Sequence, residues 1–135
     1  MQALTTRIAS CRCGQLRASA TGEPVRVSVC HCLNCKKRSG SAFAVQARWP
    51  KEQVRIEGRP KTFVKAGDSG VPATFHFCPD CGSDVCYTVE GELADLVAIP
   101  LGAFDDPFFG RPQYSVFEGR KHDWVELVGD LEHFD

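Results

Sequence analysis

The chain has 135 residues, a length that suits one domain with a buried core, and its 16 Lys and Arg nearly balance 17 Asp and Glu. A formal net charge of −1 gives no global attraction to nucleic acid or to an anionic membrane. Hydrophobic residues make up 43% of the chain, yet no apolar run approaches the roughly 20 residues of a membrane span, and the opening MQALTTRIAS lacks an apolar signal core. The expectation is a soluble, cytoplasmic protein folded as one domain over 1–135.

In chain order, the first feature is Cys11-Arg-Cys13-Gly14. Arg26–Cys30 then reads as a strand, with Val25, Val27 and Val29 alternating onto one face. Next comes Cys30-His31-Cys32 with Cys35, and the only helical turn expected is Leu33–Ser39. Residues 41–49 read as a strand with Phe43, Val45 and Ala47 on one face. Val54–Glu57 and 61–65 follow, separated by the turn Gly58-Arg59-Pro60. Strands at 73–77 and 84–90 flank Cys78-Pro-Asp-Cys81-Gly82. In the second of them Val85, Tyr87 and Val89 alternate with Cys86 and Thr88. The mostly apolar 93–100 predicts a central strand, 104–113 a loop, and 123–128 a last strand. Short strands broken by Gly and Pro predict an all-β fold, a sandwich or partly open barrel.

The cysteines carry the chemistry. Two thiols two residues apart, followed by a glycine able to take positive φ, form a knuckle that aims both sulfurs at one metal. Cys78 and Cys81 fit this, and Cys11 and Cys13 fit it at a shorter spacing. Joined across the sheet, Cys11, Cys13, Cys78 and Cys81 would make a closed, structural four-thiolate zinc site, iron being the competing metal. Cys30, Cys32 and Cys35 would then hold a second zinc with one position open to a thiol or water. Three alternatives stay open from the sequence: closure of that site by His31 or Cys86, a regrouping such as Cys11, Cys13, Cys32 and Cys35, and disulfides. Alternation in an extended segment points His31 away from Cys30 and Cys32. Cys86 reads as a buried free thiol.

Cys11-Arg-Cys13-Gly14, Val29-Cys30-His31-Cys32-Leu33-Asn34-Cys35-Lys36-Lys37, Ser39-Gly40-Ser41, Ile56-Glu57-Gly58, Phe77-Cys78-Pro79-Asp80-Cys81-Gly82-Ser83 and Gly102-Ala103-Phe104-Asp105-Asp106-Pro107 follow one another in an order that resembles the glutathione-dependent formaldehyde-activating enzyme (GFA) family, whose domain also occurs in centromere protein V-like proteins. The resemblance implies an all-β, Mss4-like fold of packed antiparallel sheets with zinc knuckles. It implies two zinc ions: Cys11, Cys13, Cys78 and Cys81 on the structural one, and Cys30, Cys32 and Cys35 on the catalytic one. It also implies a carbon–sulfur lyase, described for the family's name case as joining formaldehyde to glutathione to give S-hydroxymethylglutathione. One departure is His76, where the family pattern has an arginine before Phe-Cys.

The expected function is therefore a zinc-dependent carbon–sulfur lyase-type enzyme acting on a thiol adduct, the alternative being a zinc-stabilised structural or binding domain. Lys36, Lys37 and Arg38 are candidates to neutralise the carboxylates of a glutathione-like thiol. His31 is a candidate proton relay or a structural histidine. Phe108, Phe109 and Tyr114 are candidates for a lid. No aromatic residues interleave with the basic run, so nucleic-acid binding is not expected.

Overall fold

The computed structural model describes residues 4–67 and 69–135. A three-stranded antiparallel sheet is built from β1 (Thr6–Ser10), β2 (Arg17–Thr21) and β5 (Val54–Glu57), in the order β1-β2-β5. An eight-stranded sheet holds β3 (Arg26–Cys30), β4 (Ala44–Pro50), β6 (Lys61–Ala66), β7 (Pro72–Phe77), β8 (Asp84–Val89), β9 (Leu96–Pro100), β10 (Tyr114–Val116) and β11 (Glu132–His133). Its order is β11-β10-β3-β4-β9-β8-β7-β6. The one α-helix among the described residues, α1 (Leu33–Ser39), lies between β3 and β4. No helix there is long and apolar enough to cross a membrane.

The all-β expectation holds, with one refinement. Pairing is antiparallel throughout except where β10 runs parallel to both β3 and β11, so the larger sheet is mixed. The strand predicted at 123–128 does not form; residues 123–124 make a turn and 125–128 are irregular. Val125 alone of that stretch is buried, while Trp124 stacks on His122 at 5.4 Å and Val128 is exposed. The last edge of the sheet is made instead by β11, a two-residue strand with no hydrophobic alternation to announce it.

The main core lies between the two sheets. Ala9, Ala18 and Ala20 of the small sheet face Trp49, Ala47, Val27, Val85, Val97 and Ile99 of the large one. Those three alanines leave room for the indole of Trp49, which is fully buried and donates from Nε1 to the carbonyl of Gly22 at 2.9 Å. The bond satisfies the one polar atom that this burial would strand. A bridge between Ala9 and Phe104 ties β1 to the segment that follows β9, and Phe109 packs on Phe104 and Trp49 with ring centroids 5.2 and 6.1 Å apart. Phe109 is thus core and not lid. Phe108 is 96% exposed, and Tyr114 sits on β10.

Candidate metal centres and active-site cavity

The β1–β2 and β7–β8 connections carry the first cysteine group. Gly14 and Gly82 have φ of +85° and +79°, the left-handed conformation expected just after each cysteine pair. Each loop closes the same way: Gly14 N–H donates to the carbonyl of Cys11 at 3.1 Å, and Gly82 N–H to that of Cys78 at 2.8 Å. The sulfurs of Cys11, Cys13, Cys78 and Cys81 lie within 4.8 Å of one another. Cys11–Cys13 and Cys13–Cys78 are 3.6 and 3.7 Å apart, close to the ~3.8 Å edge of a tetrahedron of thiolates around zinc. Leu16 N–H points at Cys11 Sγ (3.3 Å) and Gln15 Nε2 at Cys78 Sγ (3.0 Å). Backbone N–H groups of Ser83 and Cys13 hold the Cys81 thiol down at about 5. The donor set and its spacing fit a closed metal site that staples the small sheet to the large one.

Cys30, Cys32 and Cys35 form a separate group, with all three sulfurs again within 4.8 Å of one another. The proposed regrouping of Cys11 and Cys13 with Cys32 and Cys35 is therefore excluded, and all eight cysteines are free thiols. Cys30 ends β3, Cys32 is the N-cap of α1, and Cys35 sits one turn in. Cys35 N–H donates to Cys32 Sγ at 3.3 Å, so a thiol takes the place usually held by a Ser or Asp oxygen. The hydrogen bond from Cys30, with the nearby charge of Arg38, holds the Cys35 thiol down at about 6 against burial. The same bond, with burial, pushes the Cys30 thiol up. Three sulfurs this close together make a donor set for one cation.

His31 and Cys86 do not join this group. Cys86 is buried in the main core outside both clusters, where burial raises its thiol to about 12. Ser115 pairs with Val29 across β10 and β3, so it shares the face opposite Cys30. His31 reaches that face: it is fully buried, with Nε2 2.9 Å from Ser115 Oγ, and burial keeps its imidazole below the usual histidine range. His76 lies on β7 opposite Cys86, its Nδ1 buried without a hydrogen-bond partner among the described residues.

The three thiols open on a cavity of about 590 Å³. Its floor is the outer face of β3 and β4: Arg26, Ser28 and Cys30 alternate with the core valines, and Gln46 and Arg48 stand beside them. Phe75 and Tyr87 form an aromatic wall, their ring centroids 5.1 Å apart. Phe117 closes another side; it is the only non-glycine residue at positive φ (58°) among those described, a conformation that costs about 1–3 kcal/mol. Lys36 donates from Nζ to the carbonyl of Arg120, Lys37 is exposed, and neither lines this cavity. Arg38, its side chain only 9% exposed, lies 3.9 Å from Cys35 Sγ and 3.7 Å from Asp84, beside the rings of Phe75 and Tyr87 at 5.6 and 5.0 Å.

The basic lining of the cavity comes from Arg26 and Arg48, which sequence reasoning missed. The signal was available: once Val27 and Val29 are assigned to the core, Arg26 and Ser28 must share the other face with Cys30 of the three-thiol group.

Residues 6–120 match the family described as glutathione-dependent formaldehyde-activating enzyme. A curated relative from Colletotrichum graminicola, named putative glutathione-dependent formaldehyde-activating enzyme, is 27% identical over 117 residues covering 77% of this chain. The chain spans about 60% of the length of that relative. A crystal structure of a Rhodobacter sphaeroides protein shares the fold at TM-score 0.56 and 17% identity, over 74% of this chain and 91% of that one.

Proposed function

The chain belongs to the glutathione-dependent formaldehyde-activating enzyme family, and on that premise we propose that it is a zinc-dependent carbon–sulfur lyase-type enzyme acting on an adduct between glutathione and formaldehyde or a related electrophile. The observation that carries this reading is the contrast between the two cysteine groups. Cys11, Cys13, Cys78 and Cys81 supply the four donors that complete a tetrahedral zinc site, whereas Cys30, Cys32 and Cys35 supply three and line a cavity large enough for a tripeptide.

Cys11, Cys13, Cys78 and Cys81 would hold a structural zinc, and Cys30, Cys32 and Cys35 a second one with a free position. When bound there, zinc supplies a Lewis-acidic position at which a thiol loses its proton near neutral pH. The rest of the chemistry falls to the chain. In the adduct-forming direction a C–S bond forms between the substrate sulfur and the carbonyl carbon, the C=O π pair moves to oxygen, and that oxygen takes up a proton. In the reverse direction the C–S bond breaks and the hydroxyl proton leaves. Arg38, held by Asp84 and the two aromatic rings, steadies the charge on Cys35. His31 fixes the cysteine segment to β10 through Ser115 and acts as a positioning residue. Phe75, Tyr87 and Phe117 limit water around the reacting sulfur.

Magnetisation exchange between free formaldehyde and S-hydroxymethylglutathione, followed by NMR with 13C-labelled formaldehyde, tests the assignment. Protein carrying two zinc ions per chain should raise the exchange rate well above that of buffer. Cys35→Ser should keep its near-UV circular dichroism, lose one zinc and return the rate to background. A two-zinc protein that leaves the exchange rate unchanged would contradict the proposal.

A further inference from the structure

We propose that Arg26 and Arg48, directly opposite one another on the cavity floor, form a carboxylate-recognition site that makes the enzyme selective for acidic, peptide-sized thiols. The proposal rests on the thiol-adduct reading above and extends it to the substrate's other end.

The two arginines are hard to explain by folding alone. They are register partners on β3 and β4, and like charges directly opposite on neighbouring strands are unfavourable. Arg48 is only 8% exposed, and a buried cation without a counter-charge is costly. Among the described residues neither one has an ion-pair partner. Arg48 reaches Ser28 Oγ at 3.5 Å and lies over the Tyr87 ring at 5.9 Å. Arg26 stacks on Tyr114 at 4.4 Å, and its buried Nε makes no hydrogen bond. Gln46 donates to Ser28 Oγ at 3.1 Å and leaves its own Oε1 unpaired. Among the described residues the carboxylates lining the cavity are those of Glu90 and Glu92, both on exposed positions. What remains at the arginine end of the floor, among the described residues, is a set of donors to spare with no carboxylate against them, the cysteine group lying at the other end.

The spacing identifies the ligand class. Arg26 and Cys30 are four residues apart on one strand and one face, about 13 Å between Cα atoms. Arginine side chains reaching back along the floor shorten that gap to the span from a thiol to the terminal carboxylate of a short peptide. A small neutral thiol would engage the cysteine end and leave both guanidinium groups bare. A carboxylate there gains bidentate, charge-assisted hydrogen bonds in a sheltered site.

Titration calorimetry on the zinc-loaded protein separates the two ends of the site. S-methylglutathione, which keeps both carboxylates but has no free thiol, probes the arginines without the reaction. We expect it to bind, its diethyl ester to bind about tenfold or more weakly, and Arg48→Gln and Arg26→Gln each to remove that preference. Both variants should melt at or above the wild-type temperature, because an unpaired cation has been removed. Equal binding of acid and ester, no binding of either, or a preference that survives in both variants would overturn the proposal. Arginine-dependent binding by a protein that fails the formaldehyde-exchange test would overturn the lyase reading alone.

Discussion

Lys36, Lys37 and Arg38 are neighbours in sequence and part company in space. Lys36 ties α1 to the carbonyl of Arg120, Lys37 faces solvent, and Arg38 turns inward to Cys35 and Asp84. Their place in the last turn of α1 also suits the helix dipole, so a basic run of this kind has a structural reason to exist apart from any ligand. Cys86 makes the complementary point. It is a cysteine among seven candidate ligands, yet it lies with Val85 and Val97 in the core. Cys86→Ala should cost about 1 kcal/mol from the small cavity it leaves, and Cys86→Ser about 1–2 kcal/mol from a hydroxyl placed in an apolar core. Urea denaturation measures both, and zinc content should be unchanged in each; loss of a zinc would return Cys86 to the ligand set.

At the level of elements, strands with β-branched alternation were readable. Arg26–Cys30 and Val54–Glu57 fall where the pattern put them, as does the Leu33–Ser39 helix. β1 and β2 were not, because their core-facing residues include Ala9, Ala18 and Ala20, small enough to admit Trp49 and too weakly hydrophobic to mark a strand. β10 and β11 escaped for a different reason: three and two residues carry no period. The segment 123–128 misled in the opposite sense, its hydrophobic residues being mostly surface. Within the turns, Gly58 has the least latitude. It has φ of +100°, and a Cβ there would lie 2.0 Å from the carbonyl oxygen of Gln15. Gln15 in turn bonds Cys78 Sγ and both backbone groups of Arg59, so the β5–β6 turn is locked to the four-cysteine group. Gly58→Ala should therefore destabilise by at least about 2 kcal/mol and speed zinc loss to a chelator, whereas Gly119→Ala, with open space at its Cβ, should do neither. A chelation rate unchanged by Gly58→Ala would separate the turn from the metal site.

For the whole molecule, the grouping of cysteines was legible because spacing and order carry it: four thiols on two hairpin connections, and three around the start of a helix. What spacing could not convey was the surroundings. The cavity depends on strand register, which sets Arg26 beside Arg48, Ser28 beside Gln46, and Cys30 at the edge of the same floor. Register is a long-range property, fixed by the valines packing on the other face of β3 and by the partners of β4. The four-cysteine group thus lies where the two hairpin connections meet, and the three-cysteine group at the edge of a polar floor; the proposed function makes the first a structural metal site and the second the reactive one.

The most direct test of that division is the visible spectrum of protein with cobalt(II) in place of zinc at both sites, recorded before and after adding glutathione. The account predicts that one of the two cobalt ions takes glutathione sulfur as a further ligand, seen as a shift in the d–d bands and a stronger sulfur-to-cobalt charge-transfer band, and that Cys35→Ser abolishes the change while keeping the spectrum of the four-thiolate site. A doubly loaded protein whose spectrum does not respond to glutathione would contradict it, since the three-cysteine site would then have no position open to a thiol.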